Sequence, residues 1–328
     1  MGSNIEAMYL GDMLNNTYVG KEDYDAWKEG RAKEESGDTP EAIEQYTLAI
    51  EINPRNKYAW NSRGYAKCFY LDDKNGAIDD FNQAIEIDPK DPLLYGNRGN
   101  AKHLLDQNKE AVIDFSKAIS LSIAIGETIS NSWVGKSSYR GEIYFKRGMA
   151  NGSIKEFRDS INDFTEALEA GVEIPSSYFF RGLSKSLLED RDGAAEDWIK
   201  AAGLGNEDAP ESLKNYCIDL INLGIEKQEK GDYVGALKDF NKAIEIKSDD
   251  GLYFYFRGTC LNESNDYQGA LRDFNQAIEM VPDNIDSYFN RAVVKKKLND
   301  LKGACEDWKK AAELGDEEAA ELLKEHCE

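Results

Sequence analysis

The chain has 328 residues, 41% of them apolar, which suits two ordinary domains or one long repeat array and argues against wholesale disorder. Its net charge of −22 repels phosphate backbones and anionic membrane surfaces, so neither nucleic acid nor a membrane is an expected partner. Acid spread over a long solvated surface keeps such a chain in solution.

Cys68, Cys217, Cys260, Cys305 and Cys327 are odd in number and far apart, with no CxxC pair. That pattern reads as reduced thiols in a cytoplasm, not a disulfide framework or zinc site. With only His103 and His326, no metal site and no cofactor are expected. No phosphate loop, nucleophile elbow or metal-ligand spacing is present, so the chain does not read as an enzyme. The opening "MGSNIEAMYLGDM" has no basic segment followed by a long apolar run, so no signal peptide or membrane span is expected.

In chain order, residues 1–22 form an N-terminal extension with a short apolar pattern (Ile5, Met8, Leu10, Met13, Leu14) that either docks as an N-terminal cap or stays mobile. A phrase then recurs: "AIEQYTLAIEINP" from Ala42, "AIDDFNQAIEIDP" from Ala77, "AVIDFSKAI" from Ala111, "ALKDFNKAIEI" from Ala236 and "ALRDFNQAIEMVP" from Ala270. A second phrase ends on a small residue, as in "AWNSRG", "LYGNRG", "IYFKRG", "SYFFRG", "YFYFRG" and "SYFNRA". From Gly148 to Gly182, and from Gly258 to Ala292, the step is 34. Small residues belong where two helices cross closely, with Tyr46 or Phe240 as the bulky wedge. "SGD", "KGD" and "SND" supply the turns. Pro54, Pro89 and Pro282 close second helices.

These letters resemble the tetratricopeptide repeat. The resemblance implies an all-α, right-handed α-solenoid of stacked helix–turn–helix hairpins, because one hairpin cannot bury its apolar face alone. The units fall at 23–56, 57–91, 92–125, 141–174, 175–206, 217–250, 251–284 and 285–315. Ser160 stands where the fourth unit would have Ala. An insertion at about 121–140 follows the third unit; "LSIAI" can lengthen a helix, and the loop-like remainder carries Trp133.

The closing phrase is written twice, as "DWIKAAGLGNEDAPESLKNYC" from Asp197 and "DWKKAAELGDEEAAELLKEHC" from Asp307, a shift of 110. In the second copy Gly315 can stop a helix and Asp316 cap the next, whose stripe is Ala319, Leu322, Leu323 and Cys327. This reads as a C-terminal capping helix at 316–327, similar to the ends of many bacterial tetratricopeptide chains. The earlier copy, 206–217, then becomes an internal cap, and the lack of Gly or Pro between Pro210 and Gly224 lets it run into the sixth unit as one long helix. The expected domains are 23–217, with five repeats, and 217–328, with three repeats and the cap.

In this family the first helices line a groove that binds peptides or protein segments. Projecting that phase places Tyr58, Asn61, Tyr65, Asn97 and Asn100 in the groove. Phe145, Lys146, Met149, Phe179, Phe180 and Leu183 follow, then Tyr255, Phe256, Thr259, Phe289 and Asn290. Rings supply contact area and amides bond a ligand backbone. The resemblance thus implies a non-enzymatic protein- or peptide-binding scaffold. The alternative is an assembly protein that self-associates through an array end or convex face. A row of Arg63, Arg98, Arg147, Arg181, Arg257 and Arg291 reads either as an anion site or as pairing between repeats with residues such as Asp79, Asp80, Asp114 and Asp273. Chaperone-binding members hold the C-terminal peptides of Hsp70 and Hsp90 with a Lys/Asn, Asn, Lys/Arg clamp. Here the best window offers Asn61, Tyr65, Asn97, Glu142 and Lys146; only Asn97 matches, so that ligand is not expected.

Overall fold

The computed structural model describes residues 20–128, 137–172 and 174–327. The apolar pattern in 1–19 and Trp133 lie outside the described residues. Among the described residues there are seventeen α-helices and no strand, and no helix is long and apolar enough to cross a membrane. The chain divides into two compact units, the first ending at Asn206 and the second beginning at Glu207.

The first unit contains α1 (Lys21–Glu35), α2 (Thr39–Ile52), α3 (Lys57–Tyr70), α4 (Lys74–Ile87), α5 (Pro92–His103), α6 (Asn108–Thr128), α7 (Ser137–Ser153), α8 (Phe157–Glu169), α9 (Pro175–Leu187) and α10 (Arg191–Gly203). They pair as five hairpins, α1/α2 to α9/α10, each packed on the next. The first helices also meet one another, α1 with α3, α3 with α5, α5 with α7 and α7 with α9. The first helices are therefore the inner layer of this solenoid.

Each hairpin closes on a ring that fills the space of a missing side chain. At Gly64 an added Cβ would stand 2.9 Å from the Phe81 ring, which is fully buried. Tyr46, Phe115, Phe164 and Trp198 take the same position in the other hairpins of the unit. Second helices start where the letters placed them. Asp38, Asp73 and Asp190 accept from the backbone N–H three residues on, at Glu41, Gly76 and Gly193. The residue before each of these caps lies in the left-handed region: Gly37, Asp72 and Glu189. Ser160, the departure from Ala, is fully buried but satisfied: its hydroxyl donates to the Gly148 carbonyl at 2.9 Å and lies 3.0 Å from the Ser184 hydroxyl. The "LSIAI" stretch extends α6 to 21 residues.

The second unit contains α11 (Ala209–Glu229), α12 (Tyr233–Ile246), α13 (Gly251–Glu263), α14 (Tyr267–Met280), α15 (Ile285–Lys297), α16 (Leu301–Glu313) and α17 (Glu317–His326). α11/α12, α13/α14 and α15/α16 are hairpins, and α17 packs on α16. The internal copy of the closing phrase is continuous with the first helix of this unit. It forms the N-terminal part of the 21-residue α11 because nothing between Pro210 and Gly224 interrupts the helix. At the C-terminal copy Gly315 has φ +109, and Asp316 accepts from the Ala319 N–H at 2.7 Å, so a separate cap begins.

One expectation is overturned here. Cys305 and Cys327 are joined by a disulfide, while Cys68, Cys217 and Cys260 are free and buried. A separation of 22 residues hid the pair. The short turn after α16 folds α17 back and brings the two Cα atoms to 5.8 Å, a distance that suits a disulfide.

Candidate functional site

The arginine row is not open to an anion. Arg63 grips Asp80 with Nε at 3.0 Å and Nη2 at 2.8 Å. The same fork joins Arg98 to Asp114, Arg147 to Asp163, Arg181 to Asp197, Arg257 to Asp273 and Arg291 to Asp307. These are pairs within one hairpin, between its first and second helices, not pairs between repeats. Only the remaining nitrogen reaches the previous hairpin, to Thr47 from Arg63 and to Asn82 from Arg98. Asp79 is exposed and plays no part. Each guanidinium also lies over the ring three residues earlier, such as Trp60 at 4.8 Å or Tyr288 at 5.4 Å. With every nitrogen face occupied, the row is a clamp that registers the repeats.

The first-helix face of the first unit carries three hollows. A cavity of about 160 Å³ is lined by Asn61, Tyr65 and Asn97, together with Arg31, Glu34, Ser62, Tyr70 and Leu93. Asn97 Nδ2 donates to Asn61 Oδ1 at 2.9 Å, which leaves the Asn97 carbonyl oxygen without a protein donor among the described residues. Tyr46 donates to Glu34 Oε2 at 2.5 Å; burial, and then that carboxylate, push its phenol far above the usual range. Burial likewise raises the Tyr65 and Tyr70 phenols, so this rim stays protonated and able to donate. Arg31 and Glu34 were legible in the letters. Arg31 follows Gly30 as Tyr65 follows Gly64, so the first hairpin presents it to the same face.

A second hollow of about 250 Å³ brings together Met149, Phe180 and Leu183, with Phe157, Phe164 and Leu187 around them. Phe180 stacks on Phe164 with ring centres 6.1 Å apart and meets Phe179 edge-on at 5.4 Å. Phe145 and Lys146 line a more open hollow of about 530 Å³ beside Glu142, Val172 and Ile174. Burial lowers the Lys146 ammonium, against the opposing pull of Glu142. The clamp-like window is therefore split: Asn61, Tyr65 and Asn97 share one cavity, while Glu142 and Lys146 sit in another.

Tyr58, Asn61 and Phe179 are buried, and the other projected groove residues are half-buried. Tyr58 packs near Trp27 with ring centres 6.3 Å apart. Asn100 is half-buried on α5. In the second unit Phe256 stacks with Phe240 at 6.5 Å and Tyr255 lies 6.1 Å from Phe274. Thr259 donates to the Phe256 carbonyl of its own helix, whereas Asn290 donates to the Asp286 carbonyl and also meets the Tyr255 phenol of α13. Phe289 packs into the cluster beneath α17. Among the described residues no cluster of His, Cys, Asp or Glu could hold a metal ion.

No curated protein matches the chain. Similar solved structures include MamA from Desulfovibrio magneticus RS-1, at 16% identity and TM-score 0.48, covering 56% of this chain and 96% of that one. The TPR2AB domain of yeast Sti1 in complex with pHSP90 has 17% identity and TM-score 0.47, covering 83% and 98%. A tetratricopeptide repeat protein from Parabacteroides merdae ATCC 43184 has 20% identity and TM-score 0.39, covering 82% and 97%. Family models match one stretch in each unit: "Tetratricopeptide repeat" over 28–92 and "TPR repeat" over 258–299. The two matched stretches are tetratricopeptide repeats, and the remaining hairpins are written with the same small residue, ring and capped turn and fold the same way, as in a multi-repeat tetratricopeptide protein.

Proposed function

We propose that the chain is a non-enzymatic scaffold that holds an extended protein or peptide segment against its first-helix face. Tetratricopeptide repeats generally serve protein–protein interaction. The observation that carries the reading is two of the hollows on the first unit, one lined by amides and phenols around Asn97 and one apolar around Phe180. An amide beside a hollow can bond a ligand backbone, and an apolar hollow can take a side chain. The row of arginines is consumed by aspartates, so recognition there depends little on charge and the affinity is expected to tolerate salt.

A displayed library of random peptides, selected on the full chain, tests this. A selected peptide should bind at least about tenfold more weakly to Asn97→Ala or Phe180→Ala, and equally well to Val234→Ala on the exposed second-helix face. Peptides indifferent to both inner-face variants would remove the groove reading. Self-association through an array end, the other reading of the sequence, finds its support at the C-terminal cap.

A further inference from the structure

The C-terminal cap is held differently from the other helices of its unit. α17 has ten residues and buries one side chain completely, Ala319. Leu322, Leu323 and Cys327 pack only partly against the cluster of Ala304, Trp308 and Ala311. A helix this short is not stable alone in water, so it persists only while docked. Near its end His326 Nε2 accepts from Lys296 Nζ at 2.8 Å, and its ring lies 5.9 Å from that of Trp308. The remaining tie is the covalent one from Cys327 to Cys305 on α16.

The internal copy of the same phrase lacks the covalent tie. Shifted by 110 residues, Cys327 corresponds to Cys217 and Cys305 to Ala195. There the pair cannot form. The phrase runs on as part of α11, and the Cys217 thiol donates to the Ala243 carbonyl of α12 at 3.7 Å. Both copies make the same turn, at Gly205 with φ +89 and at Gly315 with φ +109, but the second cysteine is present only in the C-terminal copy. Cys305 and Cys327 are also only half-buried, whereas the three free cysteines are buried. The bonded pair is the one that a small thiol can reach.

We propose that the Cys305–Cys327 disulfide is a redox latch on α17, and that opening it lets α17 pass to the same face of a second copy of this chain. The occupant follows from the fit: the face over Ala304, Trp308 and Ala311 already accepts the stripe of α17, and another copy carries the same stripe. The turn at Leu314–Asp316, with Gly315 at φ +109, is the hinge. Reduction takes two equivalents of a low-molecular-weight thiol. The first, as its thiolate, attacks one sulfur and forms a mixed disulfide; the other cysteine leaves as thiolate and takes up a proton. The second thiol attacks the mixed disulfide, releasing the small-molecule disulfide and the second cysteine thiol. The same small disulfide reverses both steps. The latch rests on the self-association reading and not on groove binding, so loss of one leaves the other intact.

The full chain is measured oxidised, reduced with dithiothreitol, and as Cys305→Ser, by light scattering over a range of concentrations and by amide hydrogen exchange. The oxidised chain should be monomeric with a protected α17. Reduction and Cys305→Ser should each speed exchange in α17 at least about tenfold and produce a concentration-dependent dimer. Reoxidising that dimer should trap a covalent pair through Cys305 of one copy and Cys327 of the other. Unchanged protection of α17 on reduction overturns the latch. Faster exchange in a chain that stays monomeric at every concentration, or a dimer already present when oxidised, overturns the exchange between copies.

Discussion

Arg63 and Asp80 stand 17 residues apart and on different helices, yet their side chains form a two-pronged ion pair at 2.8 and 3.0 Å. Asp80 is almost wholly buried, with a side-chain exposure of 4%, and Lys67 Nζ adds a third contact at 2.9 Å. The pair joins the two helices of one hairpin, and through Thr47 it reaches the hairpin before it.

Arg63→Ala should therefore destabilise the first unit by about 3 kcal/mol, the low end for breaking a buried pair, because Lys67 still partners Asp80. Arg63→Lys should recover only part of this, since an ammonium cannot make the fork. Urea unfolding of the full chain, followed by hydrogen exchange in α3 and α4, measures both variants. Equal midpoints for wild type and Arg63→Ala would contradict the structural role of the row.

The contact between Gly64 and Phe81 predicts overpacking. Gly64→Ala places a Cβ 2.9 Å from a fully buried ring and should cost about 1–3 kcal/mol, despite the better helix propensity of alanine. The last hairpin tolerates Ala292 at this position, with Trp308 opposite it. A Gly64→Ala chain that melts higher than wild type would show that α3 and α4 can move apart freely.

Lys155 and Glu189 occupy left-handed turn positions that Gly37 and Gly231 fill in other hairpins. Relief of the left-handed strain outweighs the entropy lost by an ordered glycine, so Lys155→Gly and Glu189→Gly should each stabilise by up to about 1 kcal/mol. Thermal unfolding decides this, and a fall in midpoint for both would refute it.

The second unit should weaken in alkali. Burial pushes the Cys217 and Cys260 thiols up from the ordinary 9.0 to about 11. Between those values the unfolded chain gives up the proton and the native one does not. Their contribution is thus fully present below pH 9 and is lost as pH rises through about 11. Hydrogen exchange of α12 and α13 across that window measures the loss, which should shrink in Cys217→Ala. The same burial should leave Cys217 and Cys260 inert to alkylating reagents at neutral pH, whereas reduced Cys305 and Cys327 react.

Much of the molecule was legible in the letters because its signals are local. Asp266 three residues before Gly269, or Gly258 sixteen before Phe274, are spacings that the helical period alone converts into a capped turn and a close crossing. Asp316 was readable as a cap for the same reason. The candidate site was less so. Tyr58 and Tyr65 share a helix and a ring chemistry, but one is buried and the other half-buried, because neighbouring hairpins decide what covers each.

The sequence by itself determined the hairpins, their caps and the pairing of small residues with rings, since each of these is set by residues within one repeat. Only the tertiary structure decided the rest. It spent the arginines on aspartates across each hairpin and closed Cys305 on Cys327. It also seated the apolar stripe of α17 against Trp308 on α16. The physical reason is the same in each case: a charge, a thiol or an apolar stripe is committed by whichever group lies against it, and that group is supplied by another helix.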